Sequence, residues 1–151
     1  MSQSLSKLYV HIIFHVKNDL VFIKDGHKQE LYAYMGAIIK DLESIPIIIN
    51  GTKDHVHIMA VMSKNISLSK FLEEIKKHSS RWIKTKDNHY KLFAWQGRYA
   101  GFSISPSLQE KTKHYIENQE AHHKKLSFQE ELILFLKEYN IEYNEKYLWT
   151  D

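Results

Sequence analysis

The chain has 151 residues, 43% hydrophobic and 26% charged, the proportions of an ordinary globular domain with a single core. It contains no cysteine, which excludes a disulfide framework, a zinc–thiolate centre and a cysteine nucleophile and suits a cytoplasmic protein. The net charge of +3 and pI near 8.9 permit a nucleic-acid partner without demanding one; no apolar run reaches membrane-spanning length, and the opening MSQSLSKLYV carries no signal peptide's apolar stretch.

In chain order, Lys7 to Lys17 reads as a strand whose alternation puts Val10, Ile12, Phe14 and Val16 on one face. Tyr9, His11, Ile13 and His15 fall on the other, and no role is assigned to His11 or His15. Gly26 to Leu42 has helical spacing, with Leu31, Tyr34, Met35, Ile38, Ile39 and Leu42 on one stripe. Ile45 to Ile49 reads as a short buried strand, Asn50-Gly51 as a hairpin turn, and Asp54 to Met62 as the next strand. Ser67 to Thr85 is an amphipathic helix with Leu68, Phe71, Leu72, Ile75 and Trp82 inward, and Arg98 to Ser105 is a fourth strand. The order β-α-β-β-α-β predicts an α+β domain of ferredoxin-like or RRM-like type, an antiparallel sheet with both helices on one face.

Two helices follow. One starts near Pro106, where Ser107 with Glu110 offers a capping box, and runs to about His123. The other starts at the capping box Ser127-Phe-Gln-Glu130 and carries Phe128, Leu132, Phe135, Leu136 and Tyr139 on one stripe. These helices either cover the open sheet face or pack on a second chain. No linker or repeat divides the sequence, so residues 1–151 read as one domain.

Ten histidines raise the question of where they sit. In Asp54-His55-Val56-His57-Ile58, residues two apart share a strand face, so His55 and His57 stand side by side while Val56 and Ile58 face the core. Adjacent imidazoles can share a divalent metal; such a pair is also what a solvated or core-edge strand carries. In Tyr115-Ile-Glu-Asn-Gln119, Tyr115 and Gln119 are one helical turn apart. Either could be packing or surface, and His122 and His123 read as a polar helix end.

The set resembles the single-tyrosine HUH transposases of the insertion-sequence 200/605 type and the related REP-associated tyrosine transposases. The matches are His55-Val56-His57, Tyr115 with Gln119, and the trailing His122-His123. Further matches are Ser79-Ser80-Arg81-Trp82, Trp95-Gln96, Phe102 to Ser107, Ser127-Phe128 and Tyr147-Leu148-Trp149. One departure is Tyr99-Ala100-Gly101-Phe102, where members usually read Tyr-Gly-Ala-Phe; the glycine moves by one residue.

The resemblance implies a metal held by His55, His57 and Gln119, with Tyr115 as the nucleophile on single-stranded DNA. The product would be a 5′-phosphotyrosine and a free 3′-OH. Two imidazoles and an amide oxygen leave open positions that suit Mg²⁺ or Mn²⁺. The covalent link stores the phosphodiester energy, so no nucleotide cofactor is needed. Further implications are DNA with hairpin ends, and a homodimer whose sites combine histidines of one chain with the tyrosine helix of the other. The segment from Ile104 to Ser107, broken by Pro106, can direct that helix outward.

Lys76, Lys77, Arg81, Lys84 and Lys86 make one helix and its end basic, as a DNA contact or a solvated face. Trp95, Tyr99 and Phe102 could stack on unpaired bases or fill the core, the latter the better reading of Phe102. Rival functions are an RNA-recognition module, for which the strands lack the aromatic pattern; a relaxase or replication initiator, with Tyr9 as the one N-terminal candidate; and a hydrolytic metal enzyme in which Tyr115 is structural.

Overall fold

Period-two alternation of β-branched and aromatic residues builds β1 (Leu8–His15) and β3 (His55–Met62), which pair antiparallel over their whole length, from Leu8 opposite Met62 to His15 opposite His55. The computed structural model describes residues 3–149. β2 (Ile45–Gly51) and β4 (Ala100–Ser103) complete a four-stranded antiparallel sheet in the order β2-β3-β1-β4. Helices α1 (Asp25–Asp41) and α2 (Leu68–Ile83) pack on one face. Their apolar stripes, including Leu31, Met35, Ile39, Phe71, Leu72 and Ile75, meet Ile12, Phe14, Val56 and Ile58 in the main core. This is the α+β, ferredoxin-like plan the element order predicts. Among the described residues no helix is long and apolar enough to cross a membrane.

Where structure and sequence reading differ, local chemistry gives the reason. Asn50-Gly51 is not the turn: Asn50 pairs with His57 and Gly51 with Val56, and the chain reverses at residues 52–54, with the Thr52 N–H donating to the His55 carbonyl at 3.0 Å. Glycine is needed at 51 for close approach, because a Cβ there would lie 2.2 Å from the His55 carbonyl oxygen. β2 is an edge strand, mostly half-buried with Ile45 exposed, and its register shifts between Pro46 and Ile48, as a residue without an N–H permits only at an edge or bulge. Gly101 lies within β4 opposite Ile12, with Leu68 of α2 close over it, so the shifted glycine is an ordinary strand residue.

The helix expected from Pro106 to His123 is broken. A 3-10 turn (Pro106–Leu108) leads into α3 (Gln109–Glu117), and α4 (Gln119–His122) follows after Asn118 leaves helical geometry at φ −103 and ψ 27. The Asn118 side chain donates to the His114 carbonyl at 2.8 Å, the local competition that interrupts helices at asparagine. The Ser107–Glu110 box does not form, whereas Ser127 and Glu130 cap α5 (Phe128–Glu138) reciprocally. A last short helix, α6, spans Glu145–Leu148.

These C-terminal helices cover the second face of their own sheet. Leu132 and Leu136 of α5 join Ile13 and Phe102 in a second apolar cluster, and Ile116 of α3 joins Met59 and Ile104 in a third. The face bearing the strand histidines is therefore enclosed.

Candidate active site

β3 presents His55 and His57 to the enclosed face while Val56 and Ile58 point into the main core, and both imidazoles are fully buried. Each ring is held through its inner nitrogen. His55 Nδ1 lies 2.7 Å from Asp54 Oδ1, and the Thr52 hydroxyl donates to the same oxygen at 2.8 Å. His57 Nδ1 lies 2.8 Å from Nε2 of His11, itself buried on β1. Burial alone would raise the Asp54 carboxyl; hydrogen bonds from His15 and His55 outweigh it and hold it well below the usual carboxylate range. An anionic Asp54 fixes the proton of His55 on Nδ1 and turns its Nε2 lone pair inward.

The outer nitrogens converge on Glu131 of α5, whose side chain is 2% exposed. Its Oε1 is 2.9 Å from His57 Nε2, 3.3 Å from His123 Nε2 and 3.7 Å from His55 Nε2. Its Oε2 accepts from the Tyr115 hydroxyl and, at 3.3 Å, from the Gln119 amide. That donation aims Gln119 Oε1 at His55 Nε2, 3.3 Å away. Burial would raise Glu131 too, but hydrogen bonds from His123 and His57 hold it far below its ordinary value. Burial lowers His57 to about 4 against the opposing pull of Glu131, and burial, then Glu131, pushes the Tyr115 phenol above its ordinary value.

With its proton on Nδ1, His55 Nε2 is an acceptor facing two acceptor oxygens, Gln119 Oε1 and Glu131 Oε1. A cation among them satisfies all three. His55, His57, His123 and Glu131 each offer a ligand atom, all within 4.8 Å of one another, so the donor set fits a divalent metal of mixed nitrogen and oxygen preference.

All four residues expected to carry the chemistry are brought together within one chain. Although the helix breaks at Asn118, Tyr115 and Gln119 both reach the Glu131 carboxylate. The residues the sequence reading missed are Glu131, His123 and His11. Glu131 left a legible sign, a carboxylate on the apolar stripe between Phe128 and Phe135; His123 was taken for a helix end. His122 stacks on the Tyr115 ring at 4.4 Å, its buried Nε2 without a hydrogen-bond partner among the described residues.

The DNA-contact candidates sit elsewhere. Trp95 is core rather than an exposed stacking platform: the residue is 7% exposed, its ring stands edge-on to Phe14 and Phe93, and its N–H donates to Ser79 at 3.0 Å. Phe102 is core, as the better reading had it. Lys76 donates to the Gln96 and Arg98 carbonyls at 2.8 and 2.7 Å, pinning that loop, and lies over the Tyr99 ring, which is 39% exposed. Lys77 pairs with Glu74, and Arg81 and Lys84 are exposed at the end of α2, a helix on the opposite sheet face from Tyr115.

Comparison with known proteins places this geometry in context. A family model described as "Transposase IS200 like" matches residues 4–119, ending at Gln119 and leaving α5 and α6 beyond the match. The fold is similar to a candidate transposase from Deinococcus radiodurans R1, at TM-score 0.60 and 20% identity over 79% of this chain and 98% of that one. It is also similar to a REP-associated tyrosine transposase bound to a REP hairpin, at TM-score 0.59 and 16% identity over 82% and 74% of the two chains. Among curated proteins none matches the sequence.

Proposed function

The chain belongs to the IS200-like transposases, and on that premise we propose that it cuts and rejoins single-stranded DNA through Tyr115. A divalent metal, Mg²⁺ or Mn²⁺, would be held by His55, His57 and Gln119. One observation carries the reading: Tyr115 and His57 bind the two oxygens of one buried carboxylate, so the nucleophile and the histidine pair face the same point.

When bound, the metal would polarise the scissile phosphate and offset charge developing on it. Tyr115 Oη forms a bond to phosphorus as the bond from phosphorus to the 3′ oxygen breaks. The phenol's proton is balanced by the one the released 3′-OH gains. Reversal by a 3′-OH rejoins the strand and frees the tyrosine, with no nucleotide cofactor. Asp54 and His11 keep the two rings turned inward throughout.

The substrate class is single-stranded DNA with hairpin ends, met in the cytoplasm; the hairpin carried by one structural neighbour supports it. Exposed Lys77, Arg81 and Lys84, with Lys76 and Tyr99, would hold flanking DNA away from the reacting phosphate. The working unit would be a homodimer in which Tyr115 and Gln119 of one chain serve the histidines of the other. The contacts they make in cis here are those a partner's α3 and α4 would remake on exchange across residues 104–108.

The test is a hairpin-ended, single-stranded oligonucleotide incubated with wild type and Tyr115→Phe. Wild type gives a covalent adduct on a denaturing gel only with divalent metal; Tyr115→Phe gives none while hairpin binding persists. Adduct in excess chelator sinks the metal, and cleavage without adduct favours direct hydrolysis. Mixing a chain lacking both histidines with Tyr115→Phe restores one complete site per mixed dimer if assembly is in trans. Verified mixed dimers without cleavage reject it.

A further inference from the structure

Beyond Gln119, where the family match ends, α5 brings a carboxylate into the centre of the site. Glu131 lies on the apolar stripe that seats α5, between Phe128 and Phe135 and beside Leu132, and is 1% exposed. A buried carboxylate in such a stripe is expensive unless strongly partnered. Its two oxygens divide the site cleanly. Oε1 faces only imidazole nitrogens, those of His57, His123 and His55; Oε2 faces only donors, the Tyr115 hydroxyl and the Gln119 amide.

We propose that Glu131 is itself a ligand of the divalent metal through Oε1, with His123 as a third imidazole, while Oε2 holds the Tyr115 hydroxyl against the site. The proposal rests on the reading that the site binds a metal, and extends the ligand set beyond the histidine pair and Gln119. Three observations support it together. One ring nitrogen from each of three histidines and a Glu131 oxygen lie within 4.8 Å of one another. His55 Nε2 and Gln119 Oε1 face each other as acceptors, 3.3 Å apart, and are reconciled by a cation. A single carboxylate then links metal and nucleophile, giving Gln119 an additional task, since its amide nitrogen orients Oε2. Three imidazoles with one carboxylate form a nitrogen-rich set that favours Mn²⁺ over Mg²⁺. It also makes α5 part of the metal site, so metal binding and the seating of α5 are coupled.

The experiment is calorimetric titration of the full chain with Mn²⁺, comparing wild type, Glu131→Gln, His57→Ala and Tyr115→Phe. Each is first checked for folding by circular dichroism in chelator. Glu131→Gln keeps shape and loses the anionic ligand, and is expected to bind Mn²⁺ about 100-fold more weakly, the upper end of what even outer-shell partners cost. Tyr115→Phe removes only the donor to Oε2, leaves every proposed ligand in place, and is expected to weaken binding by about 10-fold, the lower end of outer-shell costs and less than Glu131→Gln. In wild type, Mn²⁺ slows amide hydrogen exchange across residues 128–138, a measurement that holds even where Glu131→Gln fails to fold. Undiminished affinity in folded Glu131→Gln, or exchange in α5 indifferent to Mn²⁺, overturns the proposal while leaving a metal on the histidine pair. A wild type that binds no Mn²⁺ overturns this proposal and the metal reading with it.

Discussion

Stability should fall with acid through a window set by His57. Burial lowers its folded value to about 4, against 6.5 for an ordinary histidine. A depressed folded value means that above 6.5 the ring is neutral in both states and contributes nothing to the pH dependence. As pH falls from 6.5 towards 4, the unfolded chain takes up the proton and the folded one does not, so stability is lost progressively. At 1.36 kcal/mol for each pKa unit, the full loss is about 3 kcal/mol, of which about 2 kcal/mol is gone by about pH 5. The ring is fully buried, so solvent screening does not reduce this. Glu131, also depressed, acts in a separate window, its stabilisation lost only as pH falls below 4.5. The assay is urea unfolding in chelator between about pH 7.5 and about pH 5 for wild type and His57→Gln, whose side chain does not titrate. Wild type should lose about 2 kcal/mol more than the variant over that range. Parallel profiles would refute the reasoning. So would a wild type gaining stability with acid, because that sign belongs to a charged His57 paired with Glu131, its folded value raised.

Three packing predictions follow. Trp95→Ala should destabilise by about 3–5 kcal/mol in urea melts, while Trp95→Phe leaves hairpin affinity unchanged; a surface-like stability loss with weakened DNA binding would return Trp95 to a stacking role. Gly51→Ala should cost about 1–3 kcal/mol and weaken Mn²⁺ binding, because the new Cβ drives the His55 backbone away; an unchanged melt would show that the β2–β3 end yields freely. Ser127→Ala should cost about 1 kcal/mol and speed amide exchange in the first turn of α5, and identical exchange would mean that the capping box does not hold that helix.

The main core was legible because two periodicities agree. Ile12 and Phe14 alternate with His11 and Ile13, while Leu31, Met35 and Ile39 recur at helical spacing, so strand face and helix stripe could be matched without knowing the contacts between them. The same alternation showed that His55 and His57 share a face. It could not show what stands opposite, because Glu131 reaches His57 from 74 residues away. That contact depends on α5 turning back over its own sheet rather than onto another chain. Local signals misled where a competing requirement won. Asn50-Gly51 has turn chemistry, yet the ladder continues through it because close approach at Gly51 lets β2 extend. Trp95 stood among residues suited to base stacking; its bridge to Val16 draws it into the core instead.

Enclosure of the site bears on how DNA reaches it. His55 and His57 are fully buried beneath α4 and α5, Gln119 at the start of α4 is buried with them, and the Tyr115 hydroxyl is engaged by Glu131. A phosphate cannot lie between that hydroxyl and the imidazoles while Glu131 Oε2 holds the position. Either α5 or the segment carrying Tyr115 must move. α5 is seated by Phe135 stacked on Phe102 at 5.4 Å, by Leu132 and Leu136 against Ile13, and by the Tyr139 hydroxyl just beyond it donating to the Ser103 carbonyl at 2.9 Å. Lifting it would expose that whole cluster. The segment carrying Tyr115 has the smaller apolar seat: α3 packs on the sheet through Ile116 against Met59 and Ile104, Asn50 Nδ2 donates to the Ile116 and Glu117 carbonyls at 2.9 and 3.1 Å, and the 3-10 turn before it buries no residue. Exchange of α3 and α4 with a second copy would remake every lost contact on the partner, which keeps its cost small. On this argument the site opens when α3 and α4 undock, the step that the proposed exchange passes through, and its apolar seat is the reason α5 stays in place.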